Sequence, residues 1–307
     1  QLYLQGRYHW MKWTEEGTLK ARELFKQALA IDPNYALAYV GLADAWDPKL
    51  PPRLARAEVE AAARRALELD DTLAEAHLAN AAIGFAFGWN SAAAEAGARR
   101  AIALKPSLAL SYDCLGWILS MQGRFDEAIA SIRKAVSLDP TAPGVVCDLG
   151  VVYYNARKFD QAVEWARKAL ELDGNLENAH RLIGLALAMQ GRSNEALGFF
   201  ETARSLDTTP WNIANIGWAH AASGRRDEAR RALAELETLA ATRYVTPAAR
   251  ASVHEALGER ENALRAFEEA FTNGDPACLF FGVEPSWDSL RADPRFQALV
   301  RKIGVYR

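Results

Sequence analysis

The stretch that decides the fold covers residues 109–142 and reads ALSYDCLGWILSMQGRFDEAIASIRKAVSLDPTA. It contains a glycine at position 116, a second glycine at position 123 and an Asp-Pro pair near its end. Both glycine positions recur along the chain at intervals of 33 or 34 residues. The equivalents of Gly116 are Gly150, Gly184 and Gly217, and the equivalents of Gly123 are Arg157, Gly191, Gly224 and Gly258. A constant period of this length is typical of a stacked helical repeat.

Small residues mark the places where helices of the repeat approach each other. Gly116 lies in the first half of the quoted stretch, and Ala128 and Ala135 lie in the second half. Glycine and alanine at these places allow close approach, while larger residues fill the space between pairs. A single helix pair cannot bury its apolar faces, so pairs stack and share a continuous core. The pattern therefore predicts an all-α fold of stacked helix pairs.

The repeat resembles the tetratricopeptide repeat, whose signature is W-x2-L-G-x2-Y, followed by A-x3-F and a final proline. Tyr112, Leu115 and Gly116 fit the first half of that signature, and Ala128 and Pro140 fit the second half. The resemblance implies a right-handed superhelix, an α-solenoid of about eight helix pairs over residues 1–277. The expected repeats are 2–35, 36–73, 74–108, 109–142, 143–176, 177–209, 210–243 and 244–277, and residues 278–307 are expected to form a C-terminal cap.

The pattern changes after residue 277, where a capping helix is predicted. Asp293 and Pro294 suit the N-cap and the first helical position. Apolar residues then follow with helical spacing: Phe296, Leu299, Val300 and Ile303. A helix with one such apolar face can cover the exposed end of the last repeat.

Composition and charge exclude several classes of protein. The 307 residues are 50% hydrophobic and 24% charged, which is typical of globular chains and not of disordered ones. Thirty-six basic and thirty-nine acidic residues give a net charge of −3, so no polycationic surface for nucleic acid is expected. No apolar run is long enough to cross a bilayer. The predicted partner is therefore neither nucleic acid nor a membrane.

Signatures of catalysis and metal binding are missing from the sequence. There is no glycine-rich nucleotide loop, no G-x-S-x-G motif and no H-E-x-x-H motif. The five histidines fall on the first helices of predicted pairs, at positions that core residues occupy in other repeats. Three cysteines are too few for a disulfide framework. The sequence predicts a protein that is not an enzyme and needs neither a cofactor nor a metal.

Basic doublets recur at one position of the second helices: Arg64-Arg65, Arg99-Arg100, Arg133-Lys134 and Arg167-Lys168. Repeated along a stack, they would form a basic ladder on the outer surface. Such a ladder is either a track for an acidic partner or a solvated face that nearby acidic residues neutralise.

In the architecture that the resemblance implies, the first helix of each pair lines the inside of the superhelix, and aromatic residues gather at the inward positions. Trp and Tyr combine a large apolar area with a polar tip and are frequent binding hot spots. The predicted groove residues are Trp10, Trp13, Phe85, Asp113, Trp117, Tyr154, Arg181, Trp211 and Trp218. We predict that this concave groove binds a peptide or helix of a protein partner, with Arg181 taking a carboxylate or a backbone carbonyl. The alternative is that these aromatic side chains pack against neighbouring helices.

A second function is implied by resemblance at both ends of the chain. Residues 3–10 and 288–296 resemble the C-terminal repeat region of bacterial multidomain signalling proteins, which include winged-helix regulators, nucleotide cyclases and Ser/Thr kinases. That resemblance implies a regulatory region for an N-terminal effector domain, and a chain that begins at Gln1 is expected to be a piece of a longer protein. The expected location is the cytoplasm, with an extracytoplasmic position in a membrane-anchored parent as the alternative. The expected state is a monomer.

Overall fold

The computed structural model describes residues 1–12 and 14–306, and every regular element within them is helical. The predicted all-α fold of eight helix pairs and a C-terminal helix is confirmed. Two 3₁₀ helices, Pro276–Gly282 and Pro285–Leu290, precede the last α-helix. The α-helices are α1 (Leu2–Trp10), α2 (Glu15–Ile31), α3 (Ala36–Asp44), α4 (Pro52–Leu69), α5 (Ala74–Gly88), α6 (Ser91–Leu104), α7 (Ala109–Met121), α8 (Phe125–Leu138), α9 (Pro143–Asn155), α10 (Phe159–Leu172), α11 (Glu177–Met189), α12 (Ser193–Leu206), α13 (Pro210–Ala222), α14 (Arg226–Ala240), α15 (Pro247–Ala256), α16 (Arg260–Thr272) and α17 (Pro294–Ile303).

The chain divides into two compact units. Unit 1 comprises Gln1–Leu119 and Asp126–Val145, and unit 2 comprises Ser120–Phe125 together with the described chain from Val146 onward. In unit 1, α1 packs on α2, α3 on α4 and α5 on α6. In unit 2, α11 packs on α12, α13 on α14 and α15 on α16. Neighbouring pairs also pack on each other, through α2 and α3 and through α4 and α5 in unit 1, and through α12 and α13 and through α13 and α15 in unit 2, so these pairs share a core.

The second helices owe their orientation to an apolar stripe of small and branched residues. In α8, Ala128, Ile132 and Ala135 lie at i, i+4 and i+7 and are fully buried. Arg133 and Lys134 occupy the opposite face and are exposed. This amphipathic spacing fixes which side of the helix faces the stack.

Glycines in the first helices receive large side chains from the second helices. The ring of Phe25 on α2 is fully buried and lies against Gly6 on α1 and Gly41 on α3. A Cβ atom at either glycine would come within 2.5 Å of that ring. The small residues of the repeat are therefore needed for contact between helices, as the sequence pattern indicates.

Among the described residues, six turns within helix pairs use a left-handed residue, including Trp89 between α5 and α6 with φ of +51°. Four of them place glycine there, with φ between +73° and +80°: Gly123, Gly191, Gly224 and Gly258. The turn between α9 and α10 places Arg157 at this position, with φ of +60°. A left-handed conformation costs a residue with a side chain about 1–2 kcal/mol. Arg157 is therefore a costly replacement for glycine.

The C-terminal segment packs around one aromatic cluster. Phe267 on α16 lies at the centre, with ring centroids 4.9 Å from Phe281, 4.9 Å from Trp287 and 5.2 Å from Phe296. All four side chains are almost completely buried. Asp293 is the N-cap of α17, as predicted, and its Oδ1 accepts a 2.8 Å hydrogen bond from the Arg295 amide.

Candidate functional site

The predicted groove residues fall into both units. Trp13 lies outside the described residues. Phe85 and Asp113 of unit 1 and Tyr154 and Trp218 of unit 2 are buried. The remaining members are half-buried: Trp10, Trp117, Arg181 and Trp211. Binding at these residues stays a prediction, and the two units are described separately.

In unit 1, Trp10 belongs to a polar cluster that joins α1 to the end of α3. Its Nε1 donates a 3.2 Å hydrogen bond to the carbonyl oxygen of Asp44. The Arg7 guanidinium lies 4.6 Å from the centroid of the Trp10 ring and donates a 3.3 Å bond to the Asp44 carboxylate. Trp10 and Arg7 are therefore held by contacts within the protein.

The carboxyl group of Asp44 has a raised pKa. Burial raises it to about 6, although the neighbouring Arg7 acts in the opposite direction. Burial, with smaller contributions from the Asp113 and Asp44 carboxylates, raises the pKa of the Cys114 thiol to about 12. Cys114 therefore stays a protonated thiol near neutral pH and is a poor nucleophile.

We expect Asp44 to make the stability of unit 1 depend on pH. Its folded pKa lies above its unfolded value, so the native state binds the extra proton and loses stability as pH rises from about 4 to 6. Replacement Asp44→Asn removes this titration. The free energy of unfolding of the variant minus that of wild type should increase by about 1 kcal/mol when the pH is raised from 4.5 to 7.5, allowing for solvent screening. Urea denaturation at both pH values measures the difference, with the exposed Asp71→Asn as control.

In unit 2, the first helices α11 and α13 lie in contact and carry the predicted residues Arg181, Trp211 and Trp218. Trp211, Asn215 and Trp218 lie at i, i+4 and i+7 of α13 and share one face of that helix. On α11, Arg181 Nη2 donates a 2.9 Å hydrogen bond to Asn178 Oδ1. The structure thus places a guanidinium, two amides and two indoles on two adjacent helices.

Charge around Arg181 is balanced within α11. Its Nε lies 3.7 Å from Oε1 of Glu177, one helical turn away. Burial raises the pKa of Glu177, while Arg181 lowers it. Arg181 is half-buried, so its guanidinium keeps access to a ligand.

Asn215 is a functional candidate that sequence reasoning missed. Only 6% of the residue is exposed, and among the described residues its Nδ2 has no hydrogen-bond partner. A buried amide without a partner costs about 1–3 kcal/mol. Its spacing of four from Trp211 on a first helix is the sequence signal that could have identified it.

The C-terminal segment covers Tyr154, which the sequence placed in the open groove. Tyr154 is 2% exposed, and its Oη donates a 2.5 Å hydrogen bond to Glu284 Oε1. Burial raises the pKa of this hydroxyl well above its ordinary value, and the Glu284 carboxylate raises it further. Tyr154 therefore contacts the tail of its own chain.

Histidines and cysteines have structural surroundings. His77 Nε2 lies 2.8 Å from the carbonyl oxygen of Asp71, and His180 Nε2 lies 3.0 Å from that of Gly174. Both rings therefore hold the loop that precedes their helix. Burial raises the pKa of the Cys147 and Cys278 thiols. Within residues 1–12 and 14–306, no group of three or more potential ligands is placed to hold a metal ion.

The basic doublets of the second helices are engaged by acidic neighbours. Arg99 pairs with Glu95 at 2.7 Å, and Lys168 pairs with Glu164 at 2.6 Å. Lys168 Nζ also lies 4.1 Å from the centroid of the Trp165 ring. These contacts favour a solvated outer face over a track for an acidic partner.

Comparison with known proteins supports the fold. The family profile described as tetratricopeptide repeat matches residues 119–186. The Cut9–Hcn1 hetero-tetramer of the APC/C is similar with a TM-score of 0.65 and 14% identity, over 93% of this chain and 52% of that one. Yeast Tom70 is similar with a TM-score of 0.54 and 17% identity, over 94% of this chain and 62% of that one. Pseudomonas aeruginosa pilF is similar with a TM-score of 0.50 and 23% identity, over 68% of this chain and 93% of that one. No curated protein sequence matches the chain.

The chain therefore has the fold of a tetratricopeptide-repeat α-solenoid. Within the part of the chain that the structure describes, no helix is both long and apolar enough to cross a membrane.

Proposed function

We propose that this chain is a non-catalytic module that binds a peptide segment of a protein partner on the α11–α13 face of unit 2. The face is defined by Asn178, Arg181, Trp211, Asn215 and Trp218. The observation that carries the proposal is the buried Nδ2 of Asn215, for which the described chain supplies no acceptor. A peptide carbonyl would satisfy that donor once the Asn215 side chain turns outward, because Nδ2 is buried in the unbound chain.

The chemistry of the face suits an extended backbone. The half-buried Arg181 offers donors for a carboxylate or a carbonyl oxygen, and its own partner Asn178 orients it. Trp211 and Trp218 lie on the same side of α13 as Asn215, so an apolar ligand side chain could pack beside the polar contacts. Trp218 is 9% exposed and serves chiefly as the floor of the face.

The residues of the face are expected to contribute unequally to peptide affinity. Replacement Trp218→Ala should weaken peptide binding about thirtyfold, since truncating an aromatic anchor costs about 2 kcal/mol. Replacement Asn215→Ala should weaken it about fivefold, because a single hydrogen bond contributes about 1 kcal/mol. The probe is a synthetic peptide enriched from a phage-displayed library of random 12-residue peptides, and titration calorimetry measures its affinity.

Two controls separate binding from folding. Trp165→Ala removes a tryptophan on the outer helix α10 and should leave the affinity unchanged. Asn215→Ala deletes a donor that has no partner in the described chain, so the melting temperature should stay the same or rise while binding weakens. Equal losses for Trp165→Ala and Trp218→Ala would contradict the proposal, as would full affinity in Asn215→Ala.

The regulatory role for an N-terminal effector, implied by resemblance at the chain ends, also stays a prediction. It is compatible with a peptide-binding face, since a bound partner could be the signal.

A further inference from the structure

The tail of the chain reaches back to the end of α9, far along the sequence. Tyr154 Oη bonds Glu284, and Arg157 Nη2 donates a 2.5 Å bond to Asp288 Oδ1. Arg157 Nε donates a second bond of 3.3 Å to Oδ2 of the same carboxylate, and Nη1 bonds the Val283 carbonyl at 2.8 Å. The partners are separated by 126–131 residues. These bonds form within unit 2.

The same short segment also binds α15. Trp287 Nε1 donates a 2.9 Å hydrogen bond to Ser252 Oγ, and the Ser289 hydroxyl donates to Glu255. A 3₁₀ helix rises about 2 Å per residue, so the six residues Pro285–Leu290 span about 12 Å. The segment thus bridges α9 and α15 across a narrow gap, and Tyr154 and Arg157 hold its α9 side.

Arg157 has no evident purpose within its own repeat. Its backbone takes the left-handed position that glycine takes in four other turns, at an intrinsic cost. Its guanidinium bonds the Asn155 carbonyl, but its other bonds go to the tail. Strained residues persist where the surroundings fix them and often mark binding sites. The contacts with the tail account for this arginine.

We propose that Tyr154 and Arg157 form a binding site for a segment that carries two carboxylates four residues apart, and that residues 283–291 occupy it as an intramolecular ligand. Arg157 supplies the charge and the paired donors that match one carboxylate. Tyr154 supplies a neutral hydroxyl for the other. Arg291 preorganises the segment by donating to the carbonyl oxygens of Gly282 at 2.5 Å and Glu284 at 3.0 Å. The proposal does not depend on the function proposed for the α11–α13 face.

Hydrogen exchange of the free protein tests the proposal without any partner. The variant Arg157→Gly restores the residue that other turns use, so the helices should form normally. Amides of residues 283–291 should then exchange about tenfold faster, as they should in the double variant Glu284→Gln/Asp288→Asn. Amides of α16 and α17 should keep their protection, because neither variant replaces a residue of the aromatic cluster, in which Trp287 of the segment stays packed on Phe267 and Phe281.

A peptide added in trans identifies the ligand chemistry. A synthetic peptide of residues 281–292 should bind the Glu284→Gln/Asp288→Asn protein, whose own segment is weakened, and should bind at least tenfold more weakly once Arg157→Gly is added. Arg192→Gln breaks an exposed ion pair with Glu195 near the next turn and is the control, which should leave residues 283–291 protected.

Three results would overturn the proposal. Unchanged exchange in both variants would show that Tyr154 and Arg157 do not hold the segment. Amide exchange that accelerates equally in α17 and in residues 283–291 would show that the segment belongs to the C-terminal cap and is not held separately by Tyr154 and Arg157. Protection that rises with protein concentration would assign the occupant to a second copy.

Discussion

Replacement Phe267→Ala is expected to lower the free energy of unfolding of unit 2 by about 3–5 kcal/mol. Phe267 is fully buried, and its ring contacts Phe281, Trp287 and Phe296 at centroid distances of 4.9–5.2 Å. Truncation leaves a cavity that three rings from three different segments cannot easily fill. The aromatic edge contacts are lost in addition to the burial. Urea denaturation followed by tryptophan fluorescence measures the change.

The control for this prediction is Phe199→Ala on α12. Phe199 is half-buried, and its centroid lies 6.3 Å from the His180 ring. The same substitution there should cost about 1 kcal/mol. Similar costs for Phe267→Ala and Phe199→Ala would mean that the aromatic cluster does not anchor the tail.

Deletion of residues 292–307 should expose the apolar face of the last repeat and should therefore cause self-association.

Two glycine-to-alanine substitutions in one helix pair are expected to have opposite effects. At Gly184 on α11 a Cβ would lie 2.5 Å from the ring of Phe200, which is fully buried. Overpacking of this kind costs about 1–3 kcal/mol. At Gly198 on α12 a Cβ would meet no atom within 4 Å. Alanine there should stabilise the helix by about 0.5–1 kcal/mol, because it is the better helix former.

Thermal unfolding of both variants measures this contrast, and the matched chemistry makes each the control for the other. The two melting temperatures should lie on opposite sides of the wild-type value. If Gly184→Ala were as stable as Gly198→Ala, close approach of α11 and α12 would not be the reason for glycine at position 184.

Local spacing carried most of the information about the fold. Gly116 and its equivalents recur because each first helix needs a gap for a neighbouring side chain, and this requirement leaves a period in the sequence. Asp293 and Pro294 identify the start of α17, because the start of a helix depends on residues adjacent to it in the sequence. Such signals lie within one or two turns of the feature that they predict.

The candidate site could be predicted only in part. Arg181 and Trp218 were placed on neighbouring first helices by the repeat register alone. The position of Tyr154 under the tail could not be predicted, because its partner Glu284 is 130 residues away and belongs to no repeat. A hint existed in Arg157, the one non-glycine residue among the five turn positions from 123 to 258, but the sequence does not show what its side chain contacts.

The bonds between α9 and the tail also affect the order of events during synthesis. Repeats of a solenoid fold with their neighbours, so α9 can form as soon as the next pair emerges. Its partner at Glu284 emerges only 130 residues later. At a synthesis rate of 5–20 residues per second, about 6–26 s pass between the synthesis of α9 and that of its partners in the tail. During that interval the Tyr154 hydroxyl and the Arg157 guanidinium lack their partners in the tail, so the turn is completed only when synthesis of the chain is nearly finished.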